Sequence, residues 1–362
     1  MLGDKLICAL YCFLVSVAMM SLCKYKVEEA VKKEILPKEY LLYEDSRRKA
    51  RHADTLCEGA VRGRDIETFP SINEWISWLS WSTVLLDEKD YLLAAVHALD
   101  LAPRLAGTDY GTTRQRDLGQ LWTDTIRGFL GEIAFVKWLK SRFGIDAQLD
   151  YRKGQLTEFL PSDIKSVDER PPKLNISIKT TKLRGIWLDI PYKQIEHSDI
   201  FVLVRVGVTR EHFLAFLKKI SVIRDKILNR AVELGIITDE EVESIWDTIP
   251  EFTRIPAYIV GFFDKREYGD SIKRRDSIFL VDGEMKTKRF IINKFIGYWH
   301  PKQDVYKRKV IELLRKHGRR VPDNVKLEFE GIGDFSSTLH FIVSSGVLKR
   351  RREDWKALIN EI

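Results

Sequence analysis

The chain has 362 residues, of which 44% are hydrophobic, 31% charged and 11% aromatic, with a formal net charge of +7. That length holds two or three substructures with cores of their own, and the charged and aromatic shares mark a folded protein and exclude a disordered tail. The cationic excess favours a polyanionic partner, and the scarcity of Asn and Gln, six of each, leans towards a thermophilic source.

In chain order, the first feature is an apolar run from Leu6 to Cys23, broken only by Ser16 and Ser21. Its length is near the minimum for a membrane-spanning helix, and it lacks a clean small-residue cleavage site. Three readings compete: a misassigned start, a membrane anchor and a signal segment. A start at Met20 is preferred, which leaves an ordinary soluble, cytoplasmic chain from Lys24 onward, with no membrane partner unless residues 1–23 are genuine. The cysteines Cys8, Cys12, Cys23 and Cys57 form no C-x-x-C pair, so neither a zinc ribbon nor a disulfide framework is expected.

Residues 24–122 read as a helical region. Val27, Ala30, Val31 and Ile35 mark an apolar stripe that stops at Pro37. Trp75, Trp78 and Trp81 have the spacing of an inter-helix seam, and a further helix runs from Lys89 to Ala106. Thr123 or Asp124 caps the next helix, which ends near Phe143-Gly144. There the periodicity changes. Residues 147–150, 159–167, 174–181, 186–190 and 199–206 are strand-like, with a turn at Asp168–Lys173. Residues 218–248 read as a helical insertion. Strands are expected at 257–263, 278–281 and 289–296, and helices at 306–317 and 349–362. The implied units are 1–23, 24–122, an α/β core at 123–300 and a basic α+β region at 301–362.

The chemistry concentrates in Pro161-Ser162-Asp163 and Asn175-Ile176-Ser177-Ile178-Lys179. With a turn near Arg170-Pro171, a hairpin sets Asp163 opposite Ser177 or Ile178. Alternation puts Ser177 and Lys179 on one face and Ile176 and Ile178 on the other. Alone, Asp163 and Lys179 read as an exposed ion pair. The helical segment Gly128-Phe129-Leu130-Gly131-Glu132 shifts that balance. Each glycine costs about 1 kcal/mol relative to alanine, which points to a close approach to the sheet, with Glu132 beside it.

Glu132 on a helix, Asp163 after a proline and Lys179 on the next strand resemble the PD-(D/E)xK nuclease superfamily, particularly its restriction-endonuclease members. Ile178-Lys179-Thr180-Thr181, the apolar strand from Ile200 and the segment Gly261-Phe262-Phe263-Asp264-Lys265 support the resemblance. It covers about residues 126–206, with 257–300 as its extension, and its motifs are short and degenerate. The resemblance implies a mixed sheet flanked by helices and a Mg²⁺-dependent endonuclease acting on double-stranded DNA as a homodimer. Asp163, Glu132 and the Ile178 carbonyl would hold metal, and Lys179 would orient water or steady the phosphorane. Ser177 stands where the family usually has Asp or Glu. The alternative is therefore a non-catalytic nucleic-acid-binding protein that keeps the fold. Basic residues at Lys182, Arg184, Lys273, Arg274 and Arg275 are the chosen backbone contacts. His97, His197, His212, His300, His317 and His340 show no metal spacing. Ser344-Ser345-Gly346 reads as a helix end and not as a nucleophile.

Overall fold

A computed structural model of the chain describes residues 2–45, 50–106, 117–151, 162–335 and 338–362, without the side chains of residues 2–16, 45 and 103–106. Pro161 and the first residues of the strand expected at 159–167 lie outside the described residues, as does most of the boundary expected at 107–121. The described chain is mixed α/β.

Helix α1 (Leu2–Lys32) carries the apolar run and continues past it. Among the described residues no helix is long and apolar enough to cross a membrane. Val27, Ala30 and Val31 are buried, whereas Ile35 is exposed. The helix has ended by then, Glu34 takes a positive φ of 58°, and Leu36 takes the buried place instead. A small ladder, β1 (Tyr43–Asp45) with β2 (Ala50–Arg51), leads into α2 (His52–Arg62). Cys23 on α1 and Cys57 on α2 form a disulfide, contrary to the expectation drawn from cysteine spacing. The two residues are distant in sequence and meet only because the helices pack.

Helix α3 (Ile72–Ser82) is capped by Ser71, whose side chain accepts from the Glu74 amide. Its tryptophans form the expected seam: Trp81 meets Trp138 edge-on at 5.0 Å. Strand β3 (Thr83–Leu86), which the sequence reading did not expect, precedes α4 (Glu88–Ala106). Helix α5 (Leu118–Phe143) begins six or seven residues earlier than expected, because Asp117 and not Thr123 or Asp124 caps it, its Oδ1 accepting from the Gln120 amide at 2.7 Å. Gly144, at φ 73°, ends it as predicted.

Strands β4 (Ala147–Leu149) and β5 (Ile164–Val167) pair with each other, antiparallel. Then follow β6 (Ile176–Lys182), β7 (Trp187–Pro191), α6 (Tyr192–His197) and β8 (Ile200–Val206). Beyond α7 (Arg210–Lys219), α8 (Asn229–Glu233) and α9 (Asp239–Thr248) comes β9 (Ile255–Asp264). Within the expected insertion, Ile223, Leu228 and Val242 make a small apolar cluster of their own.

The central sheet has the order β3-β9-β8-β6, with β6 and β8 parallel and the other pairs antiparallel. Strand β8 is buried along its whole length and β9 likewise, as strands covered on both faces must be. The hairpin β10 (Ile278–Lys286) and β11 (Arg289–Trp299) begins a second sheet. After α10 (Asp304–Lys316), β12 (Lys326–Phe329) pairs parallel with β11, and β13 (His340–Ser344) lies between β11 and β7. Thus β7 leaves the central sheet's neighbourhood to join the second sheet. Helix α11 (Arg352–Ile359) closes the chain, and one continuous apolar core runs from Cys23 to Leu358. At Gly261 a Cβ would stand 2.5 Å from the Lys349 carbonyl, the point where β9 bonds the segment after β13.

Candidate active site

Helix α5 lies directly on β6. A Cβ at Gly131 would sit 1.9 Å from the Thr180 hydroxyl oxygen, so only glycine permits this approach. Thr180 then donates to the Gly128 carbonyl at 3.1 Å. Of the two predicted glycines, Gly131 is required for space, while a Cβ at Gly128 would meet nothing. Glu132 follows Gly131 immediately, so the contact fixes its position over the sheet.

The hairpin expected between residues 159–167 and 174–181 does not form. Strand β5 pairs with β4, and it is Ser162 and Asp163, just ahead of β5, that bond to β6. The Asp163 amide donates to the Ile176 carbonyl at 2.8 Å, and the Asp163 carbonyl accepts from the Asp150 amide at 2.9 Å. Ser162 is buried, its hydroxyl accepting from the Ile176 amide at 3.2 Å. Asp163 still arrives where expected: its Oδ2 accepts from the Ile178 amide at 2.6 Å and from the Ser177 hydroxyl at 3.2 Å. Because the amide and carbonyl of one strand residue face the same edge, the Ile178 carbonyl also turns to the Asp163 side of β6, away from β8.

Ser177 is almost fully buried. Its hydroxyl donates to Asp163 and accepts from Gln194 Nε2 at 3.1 Å, so it holds the aspartate in place. Lys179 shares the face of Ser177 and is partly exposed.

The electrostatics bind these residues into one unit. Protein atoms crowd the Glu132 carboxyl although part of the residue remains accessible. That burial first, and the Asp163 charge second, raise its pKa well above the carboxylate range, with Lys179 opposing. Asp163 is also raised, by burial and by the charge of Asp150; Lys179, the Ile178 amide and Ser177 pull it back. The Tyr151 phenol is pushed up to about 12 by burial and by Glu132. Glu132 and Asp163 therefore act on Lys179 and on each other at the outer edge of β6, and Asp150 acts on Asp163. Two of the acids are destabilised in their charged form, the state that a bound cation would relieve. Glu132, Asp163 and the Ile178 carbonyl offer an all-oxygen donor set suited to a hard divalent cation that keeps several waters. Among the described residues no group of three or more His, Cys, Asp or Glu side chains forms a metal cluster.

Asp150 and Gln194 belong to this site and were not singled out from the sequence. Asp150 ends a predicted strand, a signal that could have been used. Gln194 had none, being a lone amide in a short helix.

The basic residues divide. Lys182, the last residue of β6, and Arg184 just beyond it are exposed, and partial burial of the Lys182 amine together with the charges of Arg127 and Arg184 lowers its pKa, so these two lie near Arg127 of α5, which pairs with Asp124 at 2.9 Å. Lys273, Arg274 and Arg275 are exposed on another segment. Lys273 pairs with Asp270 at 2.6 Å. Arg275 pairs with Glu196 at 3.1 Å and stands over the Tyr192 ring, both on the helix that carries Gln194. Several further basic residues after 280 are similarly ion-paired, among them Arg289 with Glu328 and Arg319 with Asp282. No family model, curated protein or solved structure matches this chain.

Proposed function

We propose that the chain is a Mg²⁺-dependent DNA endonuclease of the PD-(D/E)xK type, restriction-like, with its site at Glu132, Asp163 and Lys179. The observation that carries this reading is the convergence of Glu132 on α5 with Asp163 and Lys179 at one edge of the central sheet, where each acid's charged form is disfavoured. Bound Mg²⁺ would supply charge neutralisation at the scissile phosphate. Asp163 and Glu132 would hold it together with the Ile178 carbonyl. Lys179 would orient the attacking water and steady charge as the new P–O bond forms and the leaving oxygen departs. Ser177 and Gln194 would keep Asp163 aimed at the site. Lys182 and Arg184, with Arg127, would contact the DNA backbone near the cut, while Lys273, Arg274 and Arg275 would do so further off. A homodimer would cut both strands, in a cytoplasmic setting.

The test is plasmid cleavage by the purified chain with Mg²⁺. Lys179→Ala is expected to lower the rate about 10²–10⁴-fold, the usual range for such a group. Full activity in Lys179→Ala, or no cleavage by the parent chain across a broad temperature range, would sink the reading. One observation favours a second reading: Ser177 is occupied by Asp163 and Gln194 and adds no carboxylate. A non-catalytic DNA-binding protein would retard DNA in a salt-dependent way, without metal and unaffected by Asp163→Ala.

A further inference from the structure

A second concentration of charge lies ten residues further along α5 than Glu132, about 15 Å by helical rise. There α1, α3 and the beginning of α11 enclose, with the end of α5, a cleft of about 610 Å³. That volume is within the range occupied by small-molecule sites. Lys26, Lys33, Arg142 and Arg352 line it against a single carboxylate, Glu29.

The two lysines share that carboxylate, at 2.8 and 2.6 Å, and their hydrogen bonds bring its pKa down to about 2. Neither arginine forms an ion pair among the described residues. Arg142 donates through Nε to the Trp81 carbonyl at 2.7 Å and through Nη2 to the Ser80 carbonyl at 3.3 Å. Arg352 stands over the Trp81 ring, 5.4 Å from its centre. Both guanidinium groups are thus held against Trp81 from different elements. The Arg142 pKa is lowered by burial and then by the charge of Arg352. Like charges fixed this close repel, and an anion between them removes the cost.

A purely structural account covers part of this. Arg142 caps the carboxyl end of α3, whose dipole offsets some of its charge. Glu29 accounts for one of the two lysine charges and Trp81 for the placing of Arg352, which leaves four cations on one hollow with a single carboxylate among them.

We propose that the cleft binds a phosphate-bearing ligand, with the Arg142 and Arg352 guanidinium groups on the phosphate oxygens and Lys26 and Lys33 beside them. Guanidinium forks suit a tetrahedral dianion, and the cationic excess matches its charge. The phosphate has two sources, a free nucleotide or a nucleic-acid backbone, which share the same chemistry and which the titration separates. The proposal does not depend on the nuclease reading.

Calorimetric titration of the full chain without Mg²⁺ tests it, using ATP, inorganic phosphate and a short single-stranded oligonucleotide as probes. Saturable ATP binding is expected, unchanged in Asp163→Ala and weakened about 10-fold or more in Arg352→Gln, in line with loss of a charge-assisted hydrogen bond. Ser77→Asp, which adds a carboxylate at an exposed position of the lining on α3, should weaken it comparably without disturbing the core. ATP binding that the oligonucleotide does not displace assigns the site to a free nucleotide. Oligonucleotide binding that Ser77→Asp abolishes, with ATP inert or displaced, assigns the phosphate to a backbone. Absence of saturable binding of all three probes at millimolar concentration overturns the proposal, as does binding that both cleft variants leave unchanged.

Discussion

Two charged clusters stand on neighbouring strands of the central sheet. Lys179 on β6 and Arg205 on β8 belong to neighbouring parallel strands, with Arg205 in register with Thr181. Arg205 and Asp65 are fully buried, 2.6 Å apart. Arg205 also donates to the Gly185 carbonyl and to Ser345, and Arg350 approaches Asp65 at 3.4 Å. Two guanidinium groups thus share one carboxylate in a place that solvent does not reach, and the cluster ties the N-terminal helices and the C-terminal segment to the sheet. At β6 the balance is reversed: Glu132 and Asp163 share one lysine, with the charge of Asp150 acting on Asp163, at an edge that β5 covers only in part. Both clusters are electrostatically imbalanced. Access separates them, since only the edge cluster can be completed by something from outside.

The largest effect should come from breaking the sealed cluster. Arg205→Met leaves Asp65 with a single partner and should cost about 3–5 kcal/mol in urea or thermal unfolding. A cost under about 1 kcal/mol would show that water or relaxation compensates, and the contrast with the edge cluster would lose its basis.

Next is the packing that aims Glu132. Gly131→Ala forces α5 and β6 apart and should destabilise by about 1–3 kcal/mol, with cleavage falling more steeply than stability. Equal loss of both would make the contact merely structural.

A smaller effect concerns pH. Glu132 and Asp163 have folded-state pKa values raised above their unfolded ones. Their contribution to stability is therefore full below the unfolded values and is lost as pH rises through the folded ones. Glu132→Gln should then have a Tm that exceeds the parent's by a margin that grows as pH rises above about 4.3, the unfolded glutamate value. The buried His52 and His212 act with the opposite sign. Their pKa values are lowered to about 4 and about 3 by burial, so stability is lost as pH falls from about 6.5 towards those values. Since both proteins contain the histidines, the difference in Tm isolates the carboxylate. A margin that shrinks with pH would contradict the assignment of Glu132 to the edge cluster.

The smallest effect belongs to Gln194. Gln194→Ala should reduce cleavage about 10-fold and raise the Mg²⁺ concentration needed, with Tm nearly unchanged, because it acts on Asp163 only through Ser177. An unchanged Mg²⁺ dependence would remove it from the site.

What was legible follows the range of each interaction. The end of α5 at Gly144, the glycine approach at 131 and the alternation that places Lys179 are written within a few residues of themselves. The pairing of β5 with β4 was not, because a short strand chooses its partner through the whole fold. Arg205 sat in plain view inside the apolar run Ile200–Val206, where an arginine announces a buried partner. Nothing local names Asp65, 140 residues away in sequence. Gln194 and the Cys23–Cys57 pair likewise depend on contacts between elements that periodicity does not order. The site's outline was legible because its order along the chain is itself a pattern.

The missing side chain at Gly131 has one further consequence. At the proposed metal site it would set how far Glu132 stands from Asp163, since any atom added at residue 131 moves Glu132 with the helix. Magnesium requires short, nearly octahedral bonds, whereas calcium accepts longer ones and more ligands. A methyl group at residue 131, which carries no charge and contacts no substrate, would therefore act as a spacer that shifts preference from the smaller cation to the larger.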